Sequence, residues 1–182
     1  MFIFKGFYFE NMAFIKKYIK FTDKLNSKLG TAVSWFTGIL VLTVCVDVFT
    51  RYFLESSLVA LQELEWHFFS IIFLLGAAYT LQTDNHVRVD LFYSNFSEKN
   101  KAIVNLVGSI LFFIPFCLLV IYSSREFVMI SFRIGETSPD PGGLPARYVL
   151  KSILPISFVF LLLQALALFF KSLLSIKENK EN

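Results

Sequence analysis

Few side chains in this 182-residue sequence could do chemistry, and their spacing limits what that chemistry is. Asp47 and Arg51 are four residues apart, so on a helix they share a face and can pair. A carboxylate at the end of a long apolar run is a functional candidate. With a guanidinium one turn away and Tyr52 just beyond, a structural ion pair is the competing reading. Glu63 and His67 are also four apart, with Glu65 and Trp66 between them. These could be a proton site or an interface anchor and subunit contact. A proton relay needs ionisable groups through the whole apolar layer, and here they cluster at one rim, which favours the anchor. His67 and His86 cannot ligate one haem within a chain, because 19 residues of helix would separate them by about 28 Å. Cys45 and Cys117 stand alone without a CxxC, which predicts reduced, packed thiols and no redox role. No catalytic residue, cofactor or metal site is expected.

Two further clusters are polar without being catalytic. In His86-Val87-Arg88-Val89-Asp90-Leu91 polar and apolar residues alternate, so an extended turn would put His86, Arg88 and Asp90 on one side. A passive interfacial turn and a subunit-docking loop both fit that pattern. The segment from Gly135 to Pro145 holds three prolines and three glycines in eleven residues, which predicts a rigid, turn-built loop.

The elements that position these groups follow from composition. Apolar residues other than glycine make up 55% of the chain, charged residues 17%, and Phe alone occurs 23 times. A soluble domain is about 45–50% apolar with glycine counted and about 25% charged, so a soluble enzyme domain is excluded. Four uncharged stretches are long enough to cross a hydrocarbon core of about 30 Å: Leu29 to Val46, Trp66 to Thr83 with His67 its one ionisable group, Ala102 to Ser124, and Ser152 to Phe170. In lipid their backbones must be helical, because unpaired amides are too costly there. The predicted fold is therefore an all-α integral membrane protein of four transmembrane helices. The spans run over about residues 29–53, 62–83, 101–124 with an extension to 134, and 147–173, inside a membrane domain of 29–174. Gly135 is the candidate cap of that extension, and Pro115 and Pro155 remove helix hydrogen bonds inside spans three and four.

Ahead of the membrane domain, residues 1–28 place Phe14, Tyr18, Phe21, Leu25 and Leu29 at helical spacing, with lysines largely between them. An amphipathic interfacial helix is the first reading and a solvated basic leader the second. MFIF is too short for the apolar region of a cleavable signal. Residues 175–182 form a polar tail. Of the 17 Lys and Arg, 12 fall on the side holding both termini and 5 on the other, so both termini should face the cytoplasm. The net charge of +3 is then mainly an orientation signal, and nucleic acid is not an expected partner.

No span carries a central ionisable group or a broken Gly/Pro pair with polar neighbours, as a midplane substrate site in a secondary transporter would. A membrane anchor subunit of a multi-subunit complex and a small standalone four-helix transporter both remain open on these grounds. A standalone exporter, however, needs a carboxylate deep in its first span, and Asp47 sits near the rim.

The order of motifs adds a resemblance. Arg51-Tyr52-Phe53, then ELEWHFFSIIFLLGAAYTLQTDNHVRVDLFY, then GETSPDPGGLPARYVLKSILPISFVFLLLQAL resembles the small membrane subunit of TRAP transporters, the tripartite ATP-independent periplasmic transporters, of DctQ type. It covers roughly Asp47 to Leu166. Many members of that family place a Trp just before the acidic pair, where this chain has Leu61-Gln62; DPGGLPAR and ELEWH are closer to a branch associated with 2-oxo acids and similar carboxylates. The resemblance implies a non-enzymatic scaffold in a bacterial inner membrane. Its partners would be a large sodium-coupled translocating subunit of DctM type, a periplasmic binding protein of DctP type that delivers an organic acid, and membrane lipids. Arg51, Glu63, Glu65, Trp66, His86, Arg88 and Asp90 become candidates for contacting the large subunit or lipid headgroups. Asp140, Gly142, Gly143 and Arg147 become candidates for docking the binding protein.

Overall fold

The computed structural model describes residues 2–83 and 96–181, with side chains from Met12 to Thr83 and from Phe96 to Lys177. It is all-helical, with no strand among the described residues. The elements are α1 (Phe2–Phe53), α2 (Val59–Gln82), α3 (Glu98–Gly108), a π-helical turn (Ser109–Phe113), α4 (Ile114–Arg133) and α5 (Arg147–Glu181). Among the described residues, four helices are long and apolar enough to cross a membrane: Met12–Phe53, Val59–Gln82, Glu98–Arg133 and Arg147–Lys177. His86, Arg88 and Asp90 lie outside the described residues.

The backbone obeys its sequence signals at each break. α1 runs 52 residues, about 78 Å, with no interruption near residue 28. Its first half is thus continuous with the first span. Ser97 caps α3 by accepting from the Asn100 N–H, and Glu98 sits favourably at that positive helix end. The π turn falls immediately before Pro115. There the Ile114 N–H reaches Ser109 C=O, five residues back, and the widened turn makes room for a ring that has no N–H of its own. α4 ends at Arg133 in a Schellman arrangement: Gly135 (φ +59°) lets its own N–H reach Phe132 C=O and the Glu136 N–H reach Ser131 C=O. Pro155 sits inside α5 without ending it.

The packing is inverted relative to a soluble core. Apart from Val33 and Leu81, the buried positions among the described residues are small or polar, among them Ala78, Ala102, Ala165, Ala167, Cys117, Ser109, Ser131 and Ser157. Large apolar side chains point outward, with Trp35, Phe73 and Phe112 each at least two-thirds exposed. In lipid, apolar area supplies no drive for helices to associate, so close backbone approach and interhelical hydrogen bonds take over. Gly30 is one such approach: a Cβ there would meet the Tyr79 ring at 2.5–2.9 Å. Cys117 is buried as expected of a packed thiol, whereas Cys45 lies on the outward face of α1 and is not packed.

α5 is the hub, packing on α1, α2, α3 and α4. α1 and α2 form an antiparallel pair, with Phe36 and Phe68 rings 6.0 Å apart. On the opposite flank, Phe116–Phe158 and Phe132–Tyr148 join α4 to α5. The bundle thus has one end carrying both termini, the terminal end, and an opposite end carrying the 135–146 loop, the loop end.

Candidate functional site

At the loop end a single carboxylate organises the surface. Glu63 lies in the first turns of α2, and only 5% of its side chain is exposed. A carboxylate removed from water must have its oxygens occupied, and here both are. Oε1 accepts from Ser138 Oγ at 2.5 Å and from an Arg147 guanidinium nitrogen at 3.2 Å, while Oε2 accepts from the Leu144 N–H at 2.6 Å. All three donors belong to the 135–147 segment, which is thereby tied to α2.

The local sequence explains why that segment can wrap a carboxylate. Gly142 takes φ +81°, a conformation disfavoured for other residues, and the Gly143 N–H closes a turn on Asp140 C=O. Gly143 serves a different need. A Cβ there would strike the Ser138 side chain and come within 3.0 Å of Glu63 Oε2, so the two glycines are not interchangeable. The Ser138 N–H bonds Leu144 C=O across the loop, and the Arg147 N–H bonds Glu136 C=O at its base. The guanidinium of Arg147 also lies 5.7 Å from the Trp66 ring, a cation–π contact that ties α5 to α2.

A second ion pair seats the other side of the loop. Glu136 pairs with Lys151, whose ammonium lies 4.1 Å from the Phe127 ring centroid. The hydrogen bond from Lys151 is the main reason the Glu136 carboxyl is held below its ordinary range.

The remaining candidates are distributed differently. Asp47 is buried and pairs with half-exposed Arg51 on α1, as the i,i+4 spacing permits. Glu65 is partly buried and Trp66 is 40% exposed beside it. Nδ1 of His67 lies 2.5 Å from the Glu63 backbone oxygen, so this histidine is engaged with its own helix. Asp140 is exposed, its N–H donating to Ser138 Oγ at 3.2 Å. The structure therefore brings Glu63, Trp66, Gly143 and Arg147 into one cluster. Arg51 turns to Asp47 instead, Asp140 meets the cluster through its backbone N–H, and His86, Arg88 and Asp90 are outside the described residues.

Sequence inspection for ionisable groups missed a second polar connection, near the terminal end. Asn26 Nδ2 donates to Gln164 Oε1 at 2.7 Å, with both side chains fully buried. Gln164 Nε2 in turn donates to Asp23 Oδ1 at 3.2 Å, which also accepts from Lys171 Nζ at 3.0 Å. Nearby, the Tyr18 hydroxyl donates to Leu163 C=O at 3.0 Å. An uncharged amide in the middle of an apolar span, as Gln164 is, was the available signal.

Such an arrangement binds helices and a loop together. Among the described residues no group of three or more His, Cys, Asp or Glu stands close enough to hold a metal ion. Fold and site together define a multi-pass membrane protein, all-helical among the described residues, in which two polar clusters tie the helices and the loop together. The chain belongs to the DctQ family, described as the DctQ component of tripartite ATP-independent periplasmic transporters, whose pattern it matches over residues 40–175. No curated protein matches it. The matched region takes in the Glu63 cluster, the loop and all but the tail of α5, and leaves out the first part of α1.

Proposed function

We propose that the chain is the fixed scaffold subunit of a sodium-coupled transporter that imports an organic acid across a bacterial inner membrane. In this reading it is not an enzyme. It packs beside a large translocating subunit of DctM type and helps seat a periplasmic binding protein of DctP type. Family membership supports the assignment to a transporter, and the 12-to-5 distribution of Lys and Arg supports an orientation with both termini in the cytoplasm. The loop end then faces the periplasm.

The observation that carries the scaffold role is the Glu63 cluster. A loop with three prolines, tied at three points to a buried carboxylate, is a pre-ordered platform, and pre-ordering lowers the entropic cost of docking. Asp140 and Gly142 form the exposed tip offered to the binding protein, and Gly143 and Arg147 hold that tip from beneath. Arg51, Glu65 and Trp66 supply polar and aromatic contacts to the large subunit or lipid headgroups at the same level, and His86, Arg88 and Asp90 do so at the cytoplasmic rim. A 2-oxo acid or related carboxylate is the proposed cargo, on the DPGGLPAR and ELEWH segments.

Purification of the tagged chain in mild detergent tests the reading. A larger multi-span subunit should co-purify; a chain that emerges alone overturns the scaffold. Asp90→Ala should lower transport and complex yield together, and transport lost from a fully intact complex would instead indicate a direct mechanistic role.

A further inference from the structure

The first half of α1 lies ahead of the region that matches the family, which begins at residue 40. It is nonetheless fixed to the bundle near the terminal end. The Tyr18 hydroxyl donates to Leu163 C=O, the Tyr18 ring meets Phe170 edge-on at 5.7 Å, Asn26 bonds Gln164, and Asp23 pairs with Lys171 at 2.9 Å. The face turned to α5 holds Thr22 and Asn26, both buried. These contacts also set the depth of the helix. Lys171 directly follows Phe170, the last residue of the fourth uncharged stretch, so Asp23 stands where hydrocarbon gives way to headgroups.

The opposite face is a row of cations. At about 100° per residue, Lys16, Lys17, Lys20, Lys24 and Lys28 fall within about 120° of arc, turned away from Thr22 and Asn26. All five are exposed, and none pairs with an acid among the described residues. Asp23, the one acid between Met12 and Lys28, is engaged by Lys171 and Gln164. Phe14 and Phe21, 71% and 64% exposed, border the row along one side. Unpaired cations edged by exposed aromatic rings complement a layer of anionic headgroups over acyl chains. Because the helix is already held against α5, docking requires little further ordering of its backbone.

We propose that this lysine row is a docking surface for phospholipids with net negative headgroups in the leaflet at the terminal end. The ammonium groups meet the headgroup phosphates, and Phe14 and Phe21 reach the acyl boundary beside them. The bound lipids hold the first half of α1 at the membrane surface from outside, as Tyr18, Asp23 and Asn26 hold it from within. The proposal does not depend on which side of the membrane the termini occupy.

The test places the full chain in phosphatidylcholine vesicles with a trace of spin-labelled phosphatidylglycerol or spin-labelled phosphatidylcholine, and electron spin resonance reads the fraction of each held against the protein. Wild type should favour phosphatidylglycerol about fivefold, the worth of one lysine at an anionic surface. Lys17→Gln, Lys20→Gln and Lys24→Gln together should bring the two lipids to near parity, while arginine at the same three positions should keep the preference. Glutamine at Lys99, Arg125 and Arg133 removes as many exposed cations elsewhere and should leave the preference in place. Equal association of the two lipids with wild type overturns the proposal. So does an equal loss from both glutamine sets, which would mark an unspecific cationic surface, or loss of the preference to millimolar inorganic phosphate, which would mark a site for soluble anions. A preference untouched by the α1 glutamine set, with less large subunit co-purified, would make the row a protein contact and likewise overturn it. If that variant does not fold, wild type in about 1 M salt decides, where a Debye length of about 3 Å should bring the lipids to parity.

Discussion

Single side chains decide the loop end, and two of them make predictions. Gly143→Ala places a methyl against Ser138 and Glu63, so either the loop shifts or the carboxylate loses its partners. The expected cost is about 1–3 kcal/mol, read as a lower melting temperature and as faster amide exchange confined to residues 135–146. Gly142→Ala should also destabilise, but through its φ of +81° rather than a clash. Glu136 gives a pH dependence of definite sign. Its folded pKa lies below its ordinary value, so the unfolded chain takes up the proton first. The stabilisation is therefore complete above the ordinary carboxylate range and is lost as pH falls through the lowered value. Acidification should loosen the loop, and Glu136→Gln should flatten the pH response of its amide exchange; a response of unchanged steepness would exclude Glu136 as its source. Glu63 was legible in the sequence as a rim residue. Its inward direction was not, since its partners lie 75, 81 and 84 residues away.

Among the elements, α5 is held by connections of two kinds: charged ones, to the loop end of α2 and through Lys171 to Asp23 of α1, and an amide one to α1 near the terminal end. The amide link tests how polar pairs act in an apolar layer. Asn26→Leu leaves Gln164 Oε1 without its donor and should cost about 1–2 kcal/mol, as should Gln164→Leu. The double substitution should cost clearly less than the sum, because it removes both polar groups together; strict additivity in detergent unfolding would mean that the two side chains do not depend on one another. The helical stretches themselves were readable from their uncharged runs, and Pro115 and Gly135 marked real features of the backbone. What the runs concealed is the continuity of α1. Lysines on one face suggested a separate leading element, yet nothing between Lys24 and Gly30 breaks a helix, and the structure carries one through.

For the molecule as a whole, the inverted packing matters most. Among the described residues, most of the Phe side chains that excluded a soluble domain stay on the outside, leaving a broad apolar surface suited to lipid. Its orientation rests on charge, and labelling tests it directly. A cysteine replacing Gly142, in a background without Cys45 and Cys117, should react with an impermeant maleimide in intact cells. One replacing Lys177 should react only after lysis. The opposite pattern would reverse the topology and overturn the proposed periplasmic docking role of the loop.

The sequence by itself determined the solvent, the number of spans, the family resemblance and the expected orientation. Those quantities are one-dimensional: bilayer thickness acts along each helix, and charge counts need no knowledge of neighbours. Only the tertiary structure decided which side of each helix turns inward. That choice depends on azimuth and on partners distant in sequence, so Glu63 could be seen to lie at a rim but not to hold a loop. Asn26 and Gln164 likewise could be read as polar residues but not as a pair.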